Sequence, residues 1–288
     1  MMSDDKRSDL LDGEIEKIVE DFEVAMYEKV LYQNLLTTEY LAGLEKYWWK
    51  GFVALEAMYL MVVEFAEECR SLLGSTLKSK EFALLNIHAR ACQQFSEILC
   101  LLKNGFPDGA FARWRSLFEL NVYASFISIN DEDIAMAYIQ QADTETKFPD
   151  WAKSAKCFKD HKGRVTFKDI YDNCVLLGDK ELWEKQYAFA SKVVHPSPQG
   201  TFKRLGARGG EEALMAGRST WGLHIPAEHA AISFYQVSAV FFFFAMGKND
   251  KNETIIKVLI RWVEIVRKYL YQTVDVCFEE NHEPNAKR

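Results

Sequence analysis

Asn104-Gly-Phe-Pro-Asp-Gly-Ala-Phe-Ala-Arg-Trp-Arg-Ser-Leu-Phe-Glu119 joins two helical patterns through a turn so short that the second helix must return antiparallel beside the first. Upstream, from about Lys80 to Lys103, Leu84, Leu85, Ala91, Cys92, Phe95, Ile98, Leu99 and Leu102 form one stripe, and Asn86, Arg90, Gln93 and Glu97 the opposite one. His88 falls near the middle of the apolar stripe. Downstream, Phe111, Trp114, Phe118, Val122 and Phe126 recur at helical spacing. At about 100° per residue, Arg115 projects between Val122 and Phe126, Glu119 lies beside it, and Arg113 points to the other side. A charge on a core-facing side calls for a partner. The hairpin also places His88 and Arg115 on faces that could meet.

The same periodicity runs through the chain, and the period-two alternation of strands is missing. Helices are expected over Leu10 to Leu36, over Thr38 to Leu73 with a break near Gly51, over Ile134 to Ala142, around Trp151, and over Phe167 to Leu177. A further helix covers Lys180 to Val194 and stops at His195-Pro196, because a residue before proline is pushed out of the α region. Residues 196–224 form the one long irregular segment, and helices over Pro226 to Gly247 and Glu253 to Cys277 close the chain. The expected fold is an all-α single helical bundle of about eight to ten helices, with residues 1–76 as an N-terminal helical arm and residues 77–288 as the main bundle.

With 288 residues and 49% hydrophobic content, the chain has ample material for a core. Its net charge of −7 argues against a protein coated in basic residues, though not against a local basic patch. Six cysteines without a Cys-x-x-Cys pair favour reduced, buried thiols in a cytoplasmic protein over a disulfide framework or a zinc site. The run from Ala230 to Met246 is nearly all apolar, but at about 17 residues, with Ser233, Gln236 and Ser238 inside it, it reads as a central core helix and not as a membrane span.

The string Leu101 to Glu119, followed by Ser191-Lys-Val-Val-His195-Pro-Ser197, resembles an uncharacterised helical family of bacterial proteins. That family's pattern is a Leu-Leu-x-x-Gly turn, an alanine, Arg-Ser-Leu-x-Glu, and a later Ser-x-x-x-His. The resemblance covers roughly residues 80–200. The family is distantly similar to the HEPN superfamily (higher eukaryote and prokaryote nucleotide-binding), helical bundles that include ribonuclease toxins and defence proteins. By that resemblance, an Arg-x(4–6)-His pair would act on an RNA backbone, a spacing that Arg218 and His224 share, although serine follows Arg218 where the superfamily usually has a polar amide or an acid.

Read from the residues, Arg115, Glu119, His88 and His195 form the first candidate group. A histidine would serve as general acid-base and Arg115 would hold an anion. Alternatively, Arg115 and Glu119 form an internal ion pair that serves architecture. His195, at a helix C-terminus, is favoured in its protonated form. Lys203, Arg204 and Arg208 among glycines resemble a phosphate-binding loop in composition only, since no P-loop motif is present. No metal or cofactor is expected: the one Glu-x-x-His, Glu279 to His282, lies in the polar tail. Two functions follow. The first is a non-catalytic module that binds a partner protein or a ligand, with a homodimer through the first and last helices. The second is a HEPN-like RNA-directed protein or ribonuclease in stress or phage defence.

Overall fold

The computed structural model describes residues 4–174, 180–194, 198–206, 217–247 and 250–282. Among these residues the chain is all-α, with nine α-helices and no strand. They are α1 (Asp4–Leu72), α2 (Ser79–Lys103), α3 (Pro107–Ile129), α4 (Glu132–Gln141), α5 (Phe167–Asp172), α6 (Lys180–Val194), α7 (Pro198–Phe202), α8 (His224–Met246) and α9 (Asp250–His282). Two 3-10 turns, Asp150–Ala152 and Lys156–Phe158, lie between α4 and α5. The chain divides into two compact units, Met1–Lys46 and Tyr47–Arg288.

The first unit is helix throughout its described part, and it leaves Ile15, Ile18, Val19, Phe22, Met26 and Val30 exposed. The expected interruptions of this region are absent: α1 runs unbroken to Leu72. Gly51 is explained differently. A Cβ there would come 2.9 Å from Leu270 Cδ2, so the glycine lets α1 approach α9 closely. Within the second unit Trp48, Phe52, Leu55, Met58 and Val62 are buried, and Trp262 Nε1 donates to the Ala54 carbonyl at 2.8 Å.

In the second unit α3 is the central element, packed on α2, α8, α6 and α5. Its buried residues, among them Ala110, Phe111, Trp114, Leu117, Asn121, Ala124 and Ile127, fall on nearly every side. A helix buried that widely has no single apolar stripe. Its open wedge holds Ala112, Arg115, Ser116 and Glu119, none of them fully buried.

The polar residues of α8 show why this apolar helix sits in a protein core. Ser233 Oγ accepts from Trp114 Nε1 at 3.0 Å, Gln236 Oε1 accepts from Asn121 Nδ2, and Ser238 Oγ lies 3.1 Å from His88 Nε2. No described helix is long and apolar enough to cross a membrane.

The α2–α3 turn is equally specified. Gly105 takes φ 74°, Pro107 opens α3 where no amide donor is needed, and Phe106 N donates to the Leu101 carbonyl at 2.9 Å. Asp108 then receives the amides of Leu205 at 2.8 Å and Gly206 at 3.4 Å. Ser219 N reaches the Gly105 carbonyl at 2.8 Å, and Ser219 Oγ donates to the Gly206 carbonyl at 2.7 Å. Gly222, at φ 72°, passes so close to Leu205 that a Cβ would lie 2.3 Å from its carbonyl oxygen. The described parts of the expected irregular segment are thus held to this turn, and residues 198–202 form a short helix instead of a loop.

The thiols are more varied than expected. Cys69 and Cys174 are buried, whereas Cys100 and Cys157 are exposed, and all four are free.

Asn121 is fully buried, so Asn121→Leu removes the donor that faces Gln236 in a site closed to water. It should cost about 1–3 kcal/mol, the penalty for stranding one buried polar group. Urea unfolding of the variant at wild-type stability would contradict this.

Candidate functional site

Arg115 and Glu119 sit one turn apart in the open wedge of α3. Arg115 Nε lies 3.1 Å from Glu119 Oε1, and the two side chains are 27% and 28% exposed. The pair therefore lies at the rim of the packed surface, neither sealed in the core nor free in water. The phase argument misplaces it because neighbouring helices surround α3 on every other side.

The third member comes from α6. Lys180 fixes the start of that helix, its Nζ donating to the carbonyls of Asp172 at 3.2 Å and Cys174 at 3.1 Å, while Tyr171 Oη donates to the Lys180 carbonyl at 2.6 Å. Trp183 packs on Phe118 at 5.7 Å between centroids. Tyr187, one turn further, donates its hydroxyl to Glu119 Oε1 at 2.6 Å and lies 5.0 Å beneath the Arg115 guanidinium. Burial, then the bond to Glu119, pushes the Tyr187 hydroxyl up to about 12, so it remains a donor. Burial opposes the charge on Arg115, but its contacts with Tyr187 and Glu119 outweigh that and hold its pKa above the ordinary value. Arg113, on the other side, pairs with Glu97 of α2.

The remaining sequence candidates do not join this network among the described residues. His88 is 2% exposed and stacks on Phe241 at 4.7 Å. Its partners are Ser238 and the phenylalanine rings of α8, with Cys92 of its own helix, so the meeting with Arg115 that the hairpin suggested does not occur. Arg218 Nη1 donates to the Asn104 carbonyl at 2.8 Å, and its guanidinium lies 4.9 Å from the Phe106 ring. His224 packs edge-on against Tyr271 at 5.7 Å, with its pKa lowered by burial and only partly restored by Glu228. Arg204 pairs with Asp108 at 3.6 Å, and Lys203 is exposed. His195 and Arg208 lie outside the described residues. No group of three or more His, Cys, Asp or Glu side chains among the described residues is arranged to hold a metal ion.

Sequence reasoning missed two features. His229 stands edge-on to Trp114 at 4.9 Å and Trp183 at 5.5 Å, and burial pushes its pKa down to about 4. The second is a pocket of about 420 Å³ where α2, α3 and α4 meet the loop that follows α4. Tyr123, Tyr138 and Trp151 line it together with Phe82, Phe148 and Lys147. Tyr123 stands one turn beyond Glu119 on α3, and burial, then the Glu119 charge, holds its hydroxyl well above the usual range.

Residues 81–148 match the model of a family described as "Family of unknown function (DUF5677)". This stretch takes in α2, α3 and α4 and ten of the twelve pocket-lining residues. It stops short of Ser191–His195. No curated protein and no solved structure matches the chain.

Two predictions follow from the geometry. Tyr187→Phe and Glu119→Gln should each destabilise the fold by about 1–2 kcal/mol, because each weakens a charge-assisted hydrogen bond. In a double-mutant cycle the two effects should be strongly non-additive; simple addition would dissolve the network. The buried histidines give the second. His88 is held at about 3 against an ordinary 6.5. Between those values the unfolded chain takes up a proton that the folded one refuses. Stability is therefore intact above pH 6.5 and declines as the pH falls toward 3, by up to about 1.4 kcal/mol per unit for each such histidine. His88→Leu should flatten that decline. An unchanged slope in pH-dependent denaturation would refute it.

Proposed function

We propose that the protein is a non-catalytic binding module that docks a basic partner protein on the helix of its first unit. The observation that carries this reading is an uncovered apolar face on a strongly acidic helix. Phe22 and Val19 are each 58% exposed, and Ile15, Met26 and Val30 are exposed with them. At helical spacing, Ile15, Val19, Phe22 and Met26 share one face. Glu14 and Asp21 flank it on one side, and Asp12, Glu16 and Glu23 on the other. Residues 1–46 hold twelve acidic residues against five basic ones, a net −7 that equals the charge of the whole chain.

Apolar helix faces of this kind are read by grooves or partner helices that take anchors at i, i+3, i+4 and i+7. The flanking carboxylates select a partner with lysines or arginines at its rim. They disfavour RNA and anionic membrane surfaces, which carry the same sign. They also disfavour the homodimer: a second copy in register would set carboxylate against carboxylate along the seam. Support for the ribonuclease alternative is missing, since neither described histidine candidate stands beside a free arginine.

The test uses the full chain and two synthetic helical peptides with the same leucine face, one flanked by lysines and the other by glutamates. Light scattering should give a 33.2 kDa monomer at micromolar concentration. The lysine-flanked peptide should bind, with affinity falling as salt rises, and Phe22→Asp with Met26→Asp should abolish binding. Equal binding of both peptides, a stable dimer of the chain alone, or retention of single-stranded RNA would each overturn the reading.

A further inference from the structure

The pocket between α2, α3 and α4 lies in the second unit and owes nothing to the docking helix. We propose that it is a binding site for a small planar aromatic carboxylate of one or two rings.

Three features of the lining specify that ligand. The first is shape. Trp151 stands nearly perpendicular to Tyr123, at 5.5 Å and 89°, and to Tyr138, at 5.0 Å and 84°. Trp151 is buried behind the two half-buried tyrosine rings, which set the aromatic wall, and Phe82 and Phe148 lie at the exposed rim. A ring placed there would stack on that wall or meet it edge-on, the two favoured aromatic arrangements. The volume of about 420 Å³ falls in the range of small-molecule sites.

The second feature is hydrogen bonding. The hydroxyls of Tyr123 and Tyr138 make no hydrogen bond to protein among the described residues. Both side chains are half-buried, so an acceptor in the pocket would take the place of water at these hydroxyls. Burial raises the pKa of both, so at neutral pH they are neutral donors waiting for an acceptor.

The third feature is charge. Lys147 is the one ionised residue among the twelve that line the pocket. A second cation, Arg164, lies 4.6 Å from the Phe148 ring. Two hydroxyl donors and a lysine among the lining residues suit an acceptor that carries negative charge.

The site is built and not merely a gap. Gln141 donates to the Phe148 carbonyl at 2.9 Å and accepts from Trp151 N at 2.8 Å, so one side chain braces the loop from both ends. Thr146 Oγ1 donates to Asp150 Oδ2 at 3.1 Å and tightens the same loop. This bracing engages the Gln141 oxygen and one of its two amide hydrogens.

The test is calorimetric titration of the full chain with indole-3-acetate, its neutral amide indole-3-acetamide and the cation tryptamine, alongside benzoate and 2-naphthoate. Indole-3-acetate should bind at least about tenfold more tightly than the amide, and tryptamine most weakly. Tyr138→Phe keeps the ring and should weaken the acid about 5–10-fold. Lys147→Gln, at an exposed position, should leave the melting temperature unchanged and erase the preference for acid over amide. Equal affinity for the acid, amide and cation would overturn the proposal. So would the absence of binding by all three acids at millimolar concentration, or a Lys147→Gln protein that still prefers the acid.

Discussion

Three hydrogen bonds hold α8 in register: Trp114 to Ser233, Asn121 to Gln236, and the contact between His88 and Ser238. The helix is so uniformly apolar that hydrophobic burial alone would accept many rotations and translations of it. Burial is non-directional. Polar groups enclosed with it are not, because each pays a desolvation cost unless its partner stands within bonding distance. With donors from α3 and a histidine from α2, the three contacts leave one arrangement in which all are satisfied together. The neutral state of His88 belongs to the same constraint: an imidazolium stacked on Phe241 in a dry core would have no counter-charge.

The α2–α3 turn is the second fixed point. Asp108 sits in the first turn of α3, where the helix dipole favours its charge, and it also receives two amides and the Arg204 side chain. Asn104 receives Arg218 at both its backbone and its side-chain oxygen. Of the three cations that composition would assign to an anionic ligand, Arg204 is thereby engaged by the turn, as is Arg218, which the arginine–histidine spacing had singled out. The glycine at 222 completes the arrangement, because only a residue without Cβ can pass the Leu205 carbonyl at that distance.

Much of the architecture was legible in the residues. The hairpin of α2 and α3, the helix across Lys180 to Val194, and the core placement of α8 all follow from spacing, turn residues and the polar interruptions at Ser233, Gln236 and Ser238. Three things were not. The continuity of α1 was hidden because Gly51 reads locally as a helix breaker, whereas its reason is Leu270, far away in sequence. The position of Arg115 was misjudged because a wheel assumes one buried face, and α3 has several. The pocket was invisible because Tyr123, Tyr138 and Trp151 come from three different elements, and no spacing rule links them. The Arg115–Glu119 pair itself was found correctly, but its third partner, Tyr187, lies 68 positions from Glu119 and gives no local signal.

The wedge of α3 that neighbours leave open also explains why the ion pair and the pocket are adjacent. A central helix can carry charge only where no other helix covers it, so Arg115, Glu119 and Tyr123 succeed one another, a turn apart, along that strip. At the Arg115 end α6 closes over the strip, and Tyr187 satisfies it. At the Tyr123 end the neighbours include α4, only ten residues long, followed by a loop braced by Gln141. Among the described residues the Tyr123 hydroxyl makes no hydrogen bond to protein there. The same strip thus meets a partner side chain from α6 at one end and a pocket at the other, an asymmetry that follows from the shortness of α4 and the loop after it.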